Sequence, residues 1–188
     1  LGWGELGFRD ITTSGVPIRK AQDLEGLDIR VPNVEPWLIA FREWGANPTP
    51  LDFSELYSAL QQGVVDAQEN PPEVIVNSRF DEVQDTLSLT EHASIPSEFI
   101  VSARFWEGLD SDLQEAVMEA ATISRDAQVQ ATREANEALV NELSDRGMTI
   151  VSDVDRESFR VGAEASWAAY EDRIGADLIE AVRTAGQD

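Results

Sequence analysis

From Ser111 to Arg146 the chain runs for 36 residues without a proline or an interior glycine. Nothing else in it limits the fold as strongly. Such a stretch predicts one helix, roughly 54 Å long, which rivals the diameter of a small domain. Ser111 followed by Gln114 reads as a capping box at its start, and Gly147 ends it. The expected inner stripe is Leu113, Val117, Ala120, Ser124, Ala127, Ala131, Ala135, Ala138 and Leu139. Small residues there let other elements approach the backbone. A coiled coil competes with this reading, but alanines and a serine in the seam make poor knobs.

The residues before this helix show a different texture. The stretches 6–12 and 27–32 read as strands, the second closed by Pro32. Trp37, Leu38, Phe41 and Trp44 recur at helical spacing over 34–45. Residues 47–52 are extended, because each proline pushes its predecessor out of the helical region. A helix is expected over 53–63 and a short strand over 64–68. Pro71-Pro72 then opens another helix, since its first turn needs no backbone N–H there. Strand–helix alternation of this kind argues for a mixed α/β layer with a partly parallel sheet. Two longer strands, 85–94 and 98–106, flank Pro96. After the long helix come a short strand over 148–151 and two helices, 155–170 and 173–184.

With 188 residues, 42% of them hydrophobic, the chain can bury a real core. Acidic residues number 36 against 14 basic ones, for a formal charge of −22, and Lys20 is the only lysine. A field of that sign repels nucleic-acid phosphates and anionic membrane surfaces, so neither is an expected partner. The absence of cysteine excludes disulfides, thiolate metal sites and cysteine nucleophiles. No apolar run is long enough to span a membrane, and no signal peptide is visible. The opening Leu1-Gly2-Trp3, without an initiating Met, suggests a chain processed or cut from something longer.

Catalytic patterns are lacking. There is no glycine-rich phosphate loop, no nucleophile elbow and no zinc spacing. His92 stands alone and reads as a strand histidine bonded to a near neighbour. Carboxylates are too numerous for any pair to be singled out. Arg30 is more informative. It lies near the C-terminal end of an apolar strand, opposite in facing to Ile29 and Val31. Ligands of open α/β sheets bind outside such strand ends, and a guanidinium fork matches a carboxylate. Arg9 follows Gly7-Phe8 in a similar setting. For both, pairing with one of the many acids is the competing reading. The run Gln68-Glu69-Asn70, ahead of two prolines, is either a solvated loop or the rim of a site. Trp3 and Trp37 are candidate walls, although Trp37 at helical spacing also suits a core.

Several stretches resemble the solute-binding proteins of tripartite ATP-independent periplasmic (TRAP) transporters, of the dicarboxylate-binding type. They are GFRDITTSGVPIRKAQDLEGLDIRVP (7–32), GANPTPLDFSELYSALQQGVVDAQENP (45–71) and FDEVQDTLSLTEH (80–92), and SARFWEGLDSDLQEAVMEAA (102–121) continues the match in register. The likeness covers essentially the whole chain but only the later portion of the family. It implies a two-lobed clamp of the periplasmic-binding-protein kind, α/β with mixed sheets, whose first lobe is incomplete here. Residues 1–92 would form the second ligand-binding lobe, 93–110 a crossover returning to the remnant of the first, 111–147 a lobe-spanning helix, and 148–188 a C-terminal strand and helices. The resemblance implies that Arg30 holds a ligand carboxylate, that Arg9 reaches the cleft, that Phe53 packs on the ligand and that Asn70 hydrogen-bonds it. Gln68 or Glu69 is expected to orient the arginines or to meet ligand hydroxyls. The implied function is an extracytoplasmic, periplasmic receptor that delivers a small organic acid to TRAP membrane subunits. It implies no enzymatic activity, no cofactor and no metal. Pairing of two copies through surface left open by the incomplete lobe is a further expectation. Two other functions remain in competition: a sensor or interaction module built on the long helix, and an enzyme using Glu69 as acid or base.

Overall fold

The computed structural model describes residues 1–185. Six strands form one mixed sheet: β1 (Gly2–Thr13), β2 (Asp28–Val31), β3 (Asn47–Pro50), β4 (Ala67–Asn70), β5 (Thr86–Phe99) and β6 (Thr149–Val151), in the order β3-β2-β4-β1-β5-β6. β2 runs parallel to β3 and β4, and β6 parallel to β5, whereas β1 is antiparallel to both its neighbours. The helices are α1 (Glu35–Glu43), α2 (Leu56–Gln61), α3 (Pro72–Asn77), α4 (Ala103–Glu107), α5 (Ser111–Asp145), α6 (Arg160–Ile174) and α7 (Ala176–Ala185).

Each face of the sheet carries its own core. On one face Ile11, Ile29, Val31 and Ala67 meet Leu38, Phe41 and Trp44 of α1, with Phe159. On the other, Leu87 meets Leu56 and Leu60 of α2, Ile75 of α3, Phe80, and Leu143 of α5. Period-two alternation sorts the polar residues between these faces as well.

Several elements differ from the sequence-based expectation. The strand expected at 64–68 begins only at Ala67, which pairs with Thr13 and Ile29. Val64 is 59% exposed, and Val65 packs into the second core from a loop. The helix expected over 53–63 starts with a 3-10 turn at Phe53–Glu55. β5 passes straight through Pro96, because β6 pairs only with Thr86–Ser88 and leaves that part of β5 one-sided. The strand expected over 98–106 stops at Phe99. Its remainder is α4, started by the Ser102 hydroxyl accepting from the Phe105 N–H. At the C-terminus a 3-10 turn, Arg156–Phe159, precedes α6, and the break before α7 falls at Gly175.

The long helix is present, capped one residue earlier than expected by Asp110, whose carboxylate accepts from the Leu113 N–H at 2.9 Å. Its packed face is not the alanine stripe. Ala120, Ser124, Ala127, Ala131, Ala135 and Ala138 are exposed, and the contact is made by Gln128, Thr132, Asn136, Val140 and Leu143. Gln128 donates to the Glu5 carbonyl (2.6 Å) and accepts from its N–H (3.2 Å). Asn136 donates to Leu6 and accepts from the Glu73 N–H. Glycines in β1 make room for this: a Cβ at Gly4 or Gly7 would collide with Gln128 or Asn136. The N-terminal half of α5 leaves the body, with Leu113 and Ile123 exposed.

Candidate functional site

Arg30 and Gln68 are register partners at the C-terminal ends of the parallel strands β2 and β4. Both face the second core, together with Asn70 and Thr12. Arg30 is only 4% exposed. Its Nε and Nη2 both donate to the Leu51 carbonyl, at 2.9 and 2.7 Å. The Phe53 ring lies 5.9 Å from its guanidinium carbon and is held edge-on by Phe80. Burial, with a smaller push from the Arg9 charge, pulls the Arg30 pKa below its ordinary value, and the Glu69 charge opposes this. Nη1 makes no hydrogen bond to a described residue. Among the described residues the buried side-chain nitrogens and oxygens without a partner belong to Trp37, Asp81 and Arg183, so Nη1 keeps some access to solvent. Arg30 is therefore a nearly buried cation tied to a backbone oxygen rather than to an acid. Asn70 stands on the neighbouring strand, 5% exposed, with its Nδ2 donating to Gln68.

Arg9 and Glu69 lie on the opposite face. Arg9 pairs with the fully buried Glu69 through Nε and through Nη2 (2.6 Å to Oε1), and Nη2 also reaches the Glu69 carbonyl (2.5 Å). His92 completes the group, with Nε2 3.2 Å from Glu69 Oε2 and Nδ1 2.8 Å from the Thr90 hydroxyl. Phe41, Trp44 and Phe159 surround the imidazole with ring centroids at 5.6, 5.8 and 6.4 Å. Burial pushes the Glu69 carboxyl up, but hydrogen bonds from His92 and Arg9, and the Arg9 charge, outweigh it and hold the pKa below the usual range.

A bulge brings His92 there. Between the pairs Ile11–Ser88 and Arg9–Ala93, β1 has one residue, Asp10, and β5 has four. Asp10 Oδ1 accepts from the N–H of Glu91, which has φ of 45°. Burial pushes the Asp10 carboxyl up to about 7.

The structure thus gathers Arg30, Asn70 and Phe53 on one side, and Arg9 and Glu69 behind them. Trp37 stands apart. It packs against the first core and lines a pocket of about 360 Å³ with Trp44, His92, Trp167 and Tyr170 between α1 and α6. Trp3, 63% exposed, lies in a groove against Arg125 and Arg133 of α5. His92 was expected to have a local role only. It does bond Thr90, but its link to Glu69 depends on strand register, which no local pattern reveals. Among the described residues no group of three or more acids and histidines is placed to hold a metal ion, and no helix is long and apolar enough to cross a membrane.

This six-stranded mixed α/β sheet with its helices matches the fold of TRAP periplasmic solute-binding proteins. The chain belongs to the family described as bacterial extracellular solute-binding protein, family 7, which matches residues 1–173. This is a binding family and not an enzyme family, and its relatives are TRAP periplasmic binding proteins. The 2,3-diketo-L-gulonate-binding periplasmic protein of Escherichia coli is 34% identical over 185 residues, which cover 97% of this chain and 56% of that protein. A TRAP periplasmic solute-binding protein from Polaromonas, bound to D-erythronate, superposes with a TM-score of 0.79 at 37% identity, covering 96% of this chain and 60% of the other. One from Ochrobactrum anthropi reaches a TM-score of 0.89 at 32% identity, covering all of this chain and 61% of the other. The chain therefore spans a little over half the length of these relatives.

Proposed function

We propose that this chain is the acid-holding part of a periplasmic receptor, in which Arg30 takes the carboxylate of a small organic acid in a fork. One observation carries the reading: a nearly buried arginine whose bonds go to a backbone carbonyl, with Nη1 open. A cation in that position needs an anion from outside, because an unpaired buried charge is costly. Asn70 adds a hydrogen bond from the next strand, and Phe53 supplies an apolar floor. Arg9, locked to Glu69 and His92 on the far face, stiffens β4. Trp37 and Trp3 take no part. Residues 100–123, which continue beyond the end of β5, belong to the first lobe of the whole protein. Closure of the two lobes around the acid is a hinge motion, and the closed form is what TRAP membrane subunits recognise. The diketo-gulonate and erythronate names of its relatives support a hydroxylated acid as ligand.

Calorimetry on the full-length protein tests this, with D-erythronate, 2,3-diketo-L-gulonate and succinate as probes. Arg30→Ala lowers affinity for the bound acid by roughly two to four orders of magnitude, from a loss of about 3–5 kcal/mol. Arg30→Lys is also impaired, because an ammonium lacks the fork. Wild-type affinity in a folded Arg30→Ala protein refutes the assignment.

A further inference from the structure

On the Arg30 face of the sheet, four buried polar side chains form a continuous hydrogen-bonded chain. Asn70 Nδ2 donates to Gln68 Oε1 (2.6 Å), Gln68 Nε2 to the Thr12 hydroxyl (2.8 Å), and the Thr12 hydroxyl to Gln84 Oε1 (3.0 Å). None of the four is more than 5% exposed.

The far end of the chain has a fixed sense. Gln84 Nε2 lies within hydrogen-bond distance of the Val83 and Asp66 carbonyls, at 3.1 and 3.3 Å, and of the Ser14 hydroxyl at 3.1 Å. Carbonyl oxygens only accept. A reversed Gln84 amide would set its oxygen against two others, so nitrogen occupies that position. The remaining orientations follow in order. Gln84 Oε1 receives the Thr12 proton, which leaves the Thr12 oxygen to accept from Gln68 nitrogen. Gln68 then turns its own oxygen to Asn70, which must answer with nitrogen.

This matters at the site because Arg30 is the register partner of Gln68. The Asn70 nitrogen, turned back toward Gln68, keeps one N–H unspent. We propose that Gln84 is a positioning residue for the carboxylate site. Acting through Thr12 and Gln68, it fixes the Asn70 amide so that an N–H, and not the oxygen, meets the acid held by Arg30. A flipped amide would turn lone pairs toward a carboxylate. The inference rests on the receptor reading above, and it adds three residues that touch no ligand.

Thr12→Val and Gln84→Met break the chain, and Thr12→Ser preserves it. In the ligand-free full-length protein, ¹⁵N-edited NMR reads the two Asn70 side-chain amide protons. The proton bonded to Gln68 is shifted downfield in the wild type and in Thr12→Ser, and in both breaking variants it moves back toward its position in a free amide. In calorimetry with D-erythronate, 2,3-diketo-L-gulonate and succinate, the breaking variants weaken the wild-type ligand by about tenfold or more, the scale of a hydrogen bond to a charged group. Thr12→Ser stays close to wild type, and thermal melts show every variant folded at the assay temperature. Unchanged Asn70 protons in both breaking variants overturn the proposal, as does unchanged affinity. If none of the three acids binds the wild type, the receptor reading fails, and the amide protons still judge the relay by themselves.

Discussion

Asp10→Asn isolates the cost of ionising a carboxyl that the bulge in β5 requires as a hydrogen-bond acceptor. Asp10 is 4% exposed, and its Oδ1 accepts the Glu91 N–H at 3.0 Å. Burial raises its pKa from 3.8 to about 7, with the Glu91 charge adding to the rise and Arg156 opposing it. Between these two values the folded protein holds a proton that the unfolded chain has already released. Stability therefore falls as pH rises across that window, and the loss is complete above about 7. At about 1.4 kcal/mol per pH unit the full loss is about 4 kcal/mol. Asparagine keeps the oxygen acceptor and carries no charge. The variant is thus expected to match the wild type near pH 4 and to exceed it by a few kcal/mol at pH 8. Urea unfolding followed by tryptophan fluorescence from pH 4 to 8.5 measures the difference directly. Other titrating groups, Glu69 among them, act in both proteins and largely cancel. A stability difference that stays constant with pH, or an Asp10→Asn protein weaker than the wild type at pH 8, refutes the reasoning.

Glu69→Gln leaves Arg9 buried without its partner and is expected to cost about 3–5 kcal/mol at neutral pH in the same unfolding assay. Because the folded Glu69 pKa is lowered, its contribution is present above the unfolded value and lost as pH falls through the folded one, so the gap to the wild type narrows in acid. Gly162→Ala places a Cβ 2.5 Å from Cε2 of Trp44, whose indole N–H donates to the Phe159 carbonyl at 3.0 Å. The overpacking is expected to cost about 1–3 kcal/mol in thermal melts, and a neutral result means that α6 can shift away from α1.

What the sequence made legible depended on which signals are local. The bounds of α5 were readable to within a residue because a helix persists until a breaker stops it, and 111–146 contains none. Its packed face was not readable, because Gln128 and Asn136 turn polar side chains inward to partners in β1, and the Thr132 hydroxyl accepts from Gln128. An apolar stripe search passes over such a face. The stop at Pro71 was correct, but β4 was placed too early, since Val64 and Val65 suit a strand in composition yet pair with nothing. The two arginines show the limit most clearly. Alternation within one strand sets Arg30 against Ile29 and Arg9 against Asp10, but it cannot relate the two strands to each other. That relation passes through β4, where Gln68 faces with Arg30 and Glu69 with Arg9. A one-residue slip of β2 against β4 would bring Arg30 onto the Glu69 face beside Arg9, and a slip of β1 against β4 would bring Arg9 onto the Arg30 face and leave Glu69 without an arginine. The role of Arg30 as the acid-free cation is therefore a property of sheet register, and the four-residue bulge that Asp10 pins on the other side of β1 is part of what holds that register.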